Sequence, residues 1–335
     1  LGADPERFEL MARYFAGNTL ANFLRNSANV IEITTAGRFD SAFVPNAISI
    51  PGSNFGNEYV EARLNADATG NVWVHFEAIH GTINQPAANC TFIKFFNSAG
   101  VEVFRVITGT GTLQGQIWSG SAWVNSGSAF VVAGGLQRFD VRFAPGNGGS
   151  FDFYVAGAPV GSGAGHVVAG GVLSDVRTIR IASFSTAVAC QLSQMLVADF
   201  DTRESRYRMP AINANGALTD GVGGFADIAE IVLDESTAIK LTAAAQRKTF
   251  TKAAIAVPTG YRIAAMVIGA RGRVTGALTD GRLLARVGGA NYASSNRGFN
   301  GGYEPRTHIL EANPATASDW NEADFNAAEI GVEAA

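Results

Sequence analysis

Catalysis needs nucleophiles, acids, bases or metal ligands at workable spacings, and this 335-residue chain offers few. Its histidines are His75, His80, His166 and His308, and they form no HExxH or HxH pattern. His75 and His80 lie five apart, so they would point to opposite faces of one extended strand. All four read as surface or turn residues. Cys90 and Cys190 are the only cysteines. Two cysteines make neither a metal site nor a disulfide framework, so each reads as a small apolar core residue, with a bond between them left open. No G-x-S-x-G elbow stands between a strand and a helix. The stretches GTGTLQG (109–115) and GSGAGH (161–166) are glycine-rich, but neither sits in a strand-turn-helix unit, so neither reads as a phosphate loop.

Glycoside hydrolysis on a sandwich fold would need two carboxylates about 5–9 Å apart across a cleft. A run of three acidic residues at alternate strand positions is absent. Asp140 in RFDVRF and Asp152 in FDFYV each stand alone opposite phenylalanines, and both read as facing solvent. No dense Asp/Asn cluster of the calcium-loop kind occurs. The expectation is a protein with no catalytic residue, no cofactor and no metal site. Trp73, Trp118, Trp123 and Tyr154 could stack on sugar rings, or could simply fill a large core. Trp118 and Trp123 straddle the turn SGSA near a sandwich edge, which makes them the candidate glycan contacts.

The composition fits that reading. The chain is 47% hydrophobic and only 16% charged, against about 25% charged in ordinary domains. Its 39 glycines favour turns and strands over exposed helices. The net charge is −4, and no Lys/Arg cluster exceeds two residues, so nucleic acid is not an expected partner. The first fifteen residues hold no apolar signal core, and the longest apolar runs, AFVVAGGL and IAAMVIGA, are too short to cross a bilayer. The sparse charge suggests a surface partly covered by neighbouring subunits.

Two textures run along the chain. ADPERFELMARYF near the start reads as a short helix, capped by Asp4 with Pro5 in its first turn. From about Asn29 the pattern is strands: EYVEARLN and VWVHFEAI joined by ADATGN, then TFIKFFN and VEVFRVIT as a hairpin about Ser98–Gly100. QRFDVRFAP alternates Phe139, Val141 and Phe143 against charged residues, and FDFYVAG alternates again after GNGGS. Short strands with Gly-rich turns argue for a sandwich or jelly roll. The charged stretch DFDTRESRYRMP (199–210) is the linker candidate. The expected domains are an N-terminal arm over 1–28, a jelly roll over 29–203 and a smaller β-rich domain over 204–335. At the end, Asn313-Pro314 breaks the chain, Thr316 or Ser318 caps a helix DWNEADFNAA, and EIGVE forms a last strand. So short a helix needs docking, which assigns Trp320 and Phe325 as structural anchors onto their own domain or a partner subunit.

Two regions resemble known families. QRFDVRFAPGNGGSFDFYVAGAPVGSG (137–163), with Tyr154, Val155, Gly157 and Val160, resembles the laminin-G or concanavalin A-like jelly roll, as does VRTIRIAS with CQLSQMLVAD. GRFDSAFV (37–44) looks like the entry to such domains in phage proteins. The closing segment resembles that of tailed-phage virion proteins, a D-P-x-T-G-x-x-W-T-x-A-D-x-N-x-x-x-x-G pattern. Asn313, Pro314, Thr316, Trp320, Ala323, Asp324, Asn326 and Gly331 correspond, with Asn313 in place of Asp and Asn321 in place of Thr. GGFADIAEIVLDEST (223–237) looks like the start of the same domain. The resemblance implies an all-β structural component of a virion, at a tail tip or fiber, assembled in the host cytoplasm. The partners it implies are itself, as a homo-oligomer such as a trimer, other virion proteins and a host-surface glycan. A glycan-binding adhesin is the alternative, and a laminarinase-like hydrolase a more distant one.

Overall fold

The computed structural model describes residues 13–20, 22–34, 39, 46–52, 58–80, 90–109, 111–167, 174–183, 189–229, 234–273, 278, 280–295, 297–298 and 301–335. Over these residues the fold is all-β, with antiparallel sheets in sandwich arrangement and one short α-helix near the C-terminal end. The chain forms two compact units. Ile50–Arg206 and the residues up to Ala16 make one, and Gly17–Ser49 with Tyr207–Ala335 make the other.

The strands β1 (Arg13–Gly17), β2 (Leu24–Arg25), β3 (Ile31–Thr34) and β4 (Asn46–Ile50) come first, with β3 and β4 antiparallel. Most of the helix expected at ADPERFELMARYF lies outside the described residues, as does nearly all of GRFDSAFV. Arg13, Tyr14 and Phe15, the end of that expected helix, are strand instead. Phe15 and Ala16 are buried there, so tertiary packing decides their conformation.

Of these first strands, β2 and β3 fall in the second unit; the first unit holds, besides most of β1, β5 (Tyr59–Ala68), β6 (Val72–His80), β7 (Cys90–Phe96), β8 (Glu102–Gly109), β9 (Thr112–Trp118) and β10 (Trp123–Asn125). Then come β11 (Phe130–Val131), β12 (Gly135–Phe143), β13 (Gly149–Val155), β14 (Ala158–His166), β15 (Val176–Ala182) and β16 (Cys190–Ala198). One sheet, called A here, runs β14–β13–β12–β6–β16, with β1 also on β16. The other, B, runs β10–β9–β8–β7–β15–β5, with β11 on β9. The non-sequential neighbours β12–β6 and β7–β15 give the crossing pattern of a jelly roll. The turn after β5 is a corner between the sheets rather than a hairpin, since β5 belongs to B and β6 to A.

The inward faces meet in a layer of phenylalanines. Phe139, Val141 and Phe143 of β12 and Phe151 and Phe153 of β13 all point inward and are buried, as their period-2 spacing requires. Phe104 of sheet B stacks on Phe143 at 4.8 Å and lies 5.0 Å from Phe151. Two glycines make room for Phe151. A Cβ at Gly115 would sit 2.1 Å from its ring, and one at Gly163 2.5 Å from it. Gly115 of β9 and Gly163 of β14 thus lie in strands that receive an aromatic ring. Cys90 and Cys190 lie in different sheets, buried and unbridged, and burial pushes the Cys190 thiol up to about 12.

The polar readings need correction. His75, His80 and His166 are buried rather than on the surface, and so is Asp140. His75 Nδ1 and Asp140 Oδ1 are hydrogen-bonded at 2.9 Å, and Thr202 Oγ1 donates to the same oxygen at 3.0 Å. Mutual pairing is what makes such burial tolerable. His80 packs on Phe139, and His166 meets Phe143 edge-on. Burial lowers the pKa of His166. Asp152 stays partly exposed beside Arg142 Nε at 3.0 Å.

The second unit holds β17 (Ile212–Thr219), β18 (Arg247–Lys252), β19 (Met266–Gly272), β20 (Asp280–Val287), β21 (Ala290–Ala293), β22 (Arg297–Gly298) and β23 (Glu304–Leu310). After them come α1 (Glu322–Ala327) and β24 (Glu329–Ala334). The sheet runs β17–β18–β24–β20–β21 with β22 on β20, and β19 pairs with β23. The last strand is thus an interior strand. A Cβ at Gly331 would lie 2.0 Å from the Lys248 carbonyl oxygen, so this crossing admits only glycine.

Trp320 and Phe325 dock on their own unit. They pack with Met266, Ile268, Leu283 and Ala285, ring against ring at 6.1 Å, and Trp320 Nε1 donates to the Leu310 carbonyl at 3.0 Å. The helix is shorter than expected, and Asn321 caps it by accepting from the Asp324 amide at 2.8 Å, not Thr316 or Ser318. Those two residues are used elsewhere, in a Thr316–Ser318 hydroxyl contact and the Asn313–Ser318 bridge. Lys252 closes the other end, donating to the carbonyls of Phe325 and Ala328, and burial pushes its ammonium down to about 8.

Two outcomes follow from this packing. Trp320→Ala should destabilise the second unit by about 3–5 kcal/mol. Deletion of residues 314–335 removes β24 and should abolish its cooperative melting; normal melting and solubility of that truncation would refute the docking. The Lys252 pKa is depressed from 10.5 to about 8 in the folded chain. Between those values the unfolded chain binds the extra proton, so this group makes stability rise as pH climbs from about 8 to 10.5. Urea midpoints measured across that range should rise less in Lys252→Met than in the parent chain.

Candidate ligand-binding face

Because Phe95, Phe104 and Ile117 turn inward, their neighbours Lys94, Arg105 and Gln116 must turn outward. The register then lines up one row across sheet B: Glu61, Arg180, Lys94, Arg105, Gln116 and Asn125 stand directly opposite one another from β5 to β10. Adjacent strands lie about 4.8 Å apart, so this row spans about 24 Å.

The row is internally connected. Glu61 takes Arg63 Nε at 3.0 Å and Arg180 Nε at 2.8 Å on its two oxygens. Glu102, at the start of β8, takes Lys94 Nζ at 3.0 Å and lies 3.5 Å from Arg105 Nη1. Arg105 Nε donates to Gln116 Oε1 at 2.6 Å, and Gln116 Nε2 donates to Asn125 Oδ1 at 2.8 Å.

Aromatic rings interleave with these groups. The Arg180 guanidinium lies 4.6 Å from the Tyr59 ring centre and 4.3 Å from that of Phe96. Arg105 lies 4.4 Å from the Trp123 ring centre. Trp118 and Trp123 are directly paired across the β9–β10 hairpin, 5.7 Å apart and near-perpendicular. Both are half-buried. The loop between them closes through the Ser119 amide to the Ala122 carbonyl at 2.9 Å, with Gly120 at φ +93°, where a side chain would be strained. The two candidate glycan contacts are thus brought together at one end of the polar row. Sequence reasoning found the tryptophans but missed Arg105, Gln116, Lys94 and Arg180, whose alignment depends on strands distant in the chain.

The other two aromatic candidates are placed differently. Trp73 is buried on sheet A and stacks with Tyr154 at 5.8 Å. The Arg203 guanidinium covers both rings, 4.5 Å from Tyr154 and 5.8 Å from Trp73. Tyr154 also lines a cleft of about 470 Å³ with Asp152, Pro159, Ser162 and Gly127. One side of its ring is taken by Arg203. The carboxylates of this sheet are likewise engaged: Asp140 with His75 and Thr202, Asp152 with Arg142, and Glu77 with Gln194 Nε2 at 2.8 Å. Among the described residues no group of three or more His, Cys, Asp or Glu is placed to hold a metal ion, and no helix is long and apolar enough to cross a membrane.

No family model and no curated protein matches the chain. Among solved structures it is similar to an endo-β-1,4-glucuronan lyase of the fungus Trichoderma reesei, at 11% identity and a TM-score of 0.42, covering 56% of this chain and 96% of that one. It is similar to the cellulose induced protein Cip1, at 13% identity and a TM-score of 0.39, covering 55% and 94%. It is also similar to the binding domain of botulinum neurotoxin serotype C1, at 11% identity and a TM-score of 0.38, covering 61% and 54%. Likenesses this distant leave the functional reading to the geometry of the face itself.

Proposed function

We propose that this chain is a glycan-binding β-sandwich protein, and that the outer face of sheet B, ending at Trp118 and Trp123, is its binding surface. The observation that carries the reading is the pairing of two half-exposed indoles with an ordered row of amide, guanidinium and ammonium groups. Sugars present apolar C–H faces to aromatic rings and hydroxyls to fixed donors and acceptors, and this face offers both. Binding sites commonly set a few placed polar groups beside aromatic side chains. A rigid sheet holds these groups in position without the help of a loop.

The virion-assembly reading rests chiefly on the closing segment. Docking of Trp320 and Phe325 into their own unit accounts for those residues without a partner subunit. A hydrolase reading is weaker still, because the sheet A carboxylates are engaged in pairs.

The test is a glycan array probed with the full chain, followed by titration calorimetry on the ligands it retains. Trp118→Ala should weaken binding at least tenfold, about 1.4 kcal/mol, in a chain that still melts cooperatively. A parent chain that retains no glycan at millimolar concentration would refute the proposal.

A further inference from the structure

We infer that the ligand of this face is an anionic glycan, a sugar chain carrying carboxylate or sulfate groups. The inference rests on the glycan-binding reading above and names its chemical class.

The row is not electrically balanced. Arg63, Arg180, Lys94 and Arg105 share only two carboxylates, Glu61 and Glu102, which leaves a local charge of +2 on a chain whose net charge is −4. The surplus also faces outward. The side chains of Arg63, Arg180, Lys94 and Arg105 are 66%, 34%, 32% and 23% exposed, whereas those of Glu61 and Glu102 are 9% and 18% exposed. The carboxylates thus lie beneath a layer of cations, and an approaching ligand meets the cations first.

The donors are suited to oxyanions. Arg63 and Arg180 reach Glu61 through Nε, which leaves the paired Nη nitrogens of each fork for a second acceptor. A guanidinium fork matches carboxylate or sulfate geometry with two parallel hydrogen bonds. Lys94 uses one contact on Glu102, and an ammonium has three donors. Contacts with Tyr59, Phe96 and Trp123 hold the two row guanidiniums in place, so little ordering remains to be done on binding. The cations stand on four successive strands, a line of about 14 Å rather than one point, which suits a repeating anionic chain better than a single small anion.

The experiment titrates the full chain with three probes of equal length: an oligogalacturonate, a sulfated heparin-derived oligosaccharide and a neutral cello-oligosaccharide. At least one acidic probe should bind ten times or more tighter than the neutral one, and its affinity should fall as salt rises from about 50 to about 300 mM, which cuts the screening length from about 14 to about 6 Å. Lys94→Gln should lower the acidic-to-neutral affinity ratio, and Glu102→Gln should raise it, with melting temperature reporting any misfolding. Whether carboxylate or sulfate is preferred distinguishes the two sources of the same charge. Neutral probe bound as tightly as both acidic ones would overturn the anionic class and leave the glycan reading standing. A single-stranded DNA oligomer bound as tightly as the acidic sugars would overturn it in favour of a general polyanion surface. Binding of none of the three sugars would remove both readings.

Discussion

The structure of the first unit depends on the close approach of phenylalanine rings from one sheet to the backbone of the other. Phe151 sits where a side chain at Gly115 would be, with Phe104 and Phe143 stacked beside it. That approach fixes the register, because a one-residue slip would turn the rings outward and the charges inward. It also fixes the outer row. Once Phe95, Phe104 and Ile117 face the core, Lys94, Arg105 and Gln116 face away from it, opposite one another on successive strands. The polar row on sheet B is therefore a geometric consequence of the apolar layer beneath it.

The two outer faces of the sandwich have been used differently. On sheet A the residues after β16 close over the strands. Thr202 reaches the buried His75–Asp140 pair, and Arg203 lies across Trp73 and Tyr154. Leaving Asp140 buried and unpaired would be costly, so Thr202 and His75 stabilise the fold by hydrogen-bonding its Oδ1. Sheet B places its polar groups where several cations remain exposed. Its carboxylates, Glu61 and Glu102, are the better buried members of each cluster.

What could be read in the sequence was local. The β7–β8 and β12–β13 hairpins, the inward phenylalanines and the final strand all follow from turns and period-2 alternation within short stretches. The turn SGSA likewise placed Trp118 against Trp123. What could not be read was assembled from afar. Arg180 meets Glu61 across 119 residues of chain, and neither segment carries a motif that names the other. His75 and Asp140 looked exposed because alternation assigns them to an outer face. The cover over that face comes from Thr202, after the last strand of the sheet. The expected cap of the terminal helix failed because the helix begins only at Glu322, which puts Asn321, not Ser318, at its N-cap.

The same contacts that order the sheet B face set what it can do. Each row guanidinium lies over an aromatic ring, which lowers the entropy cost of ligand binding but also occupies one face of that ring. Trp123 cannot give both faces to a sugar while Arg105 covers one. The indole that remains less committed is Trp118, held edge-on to Trp123. A sugar chain on this face would therefore find its apolar contact at the hairpin and its polar contacts along the row. Those are two chemically distinct ends of one surface, and their order would fix the direction in which the chain lies.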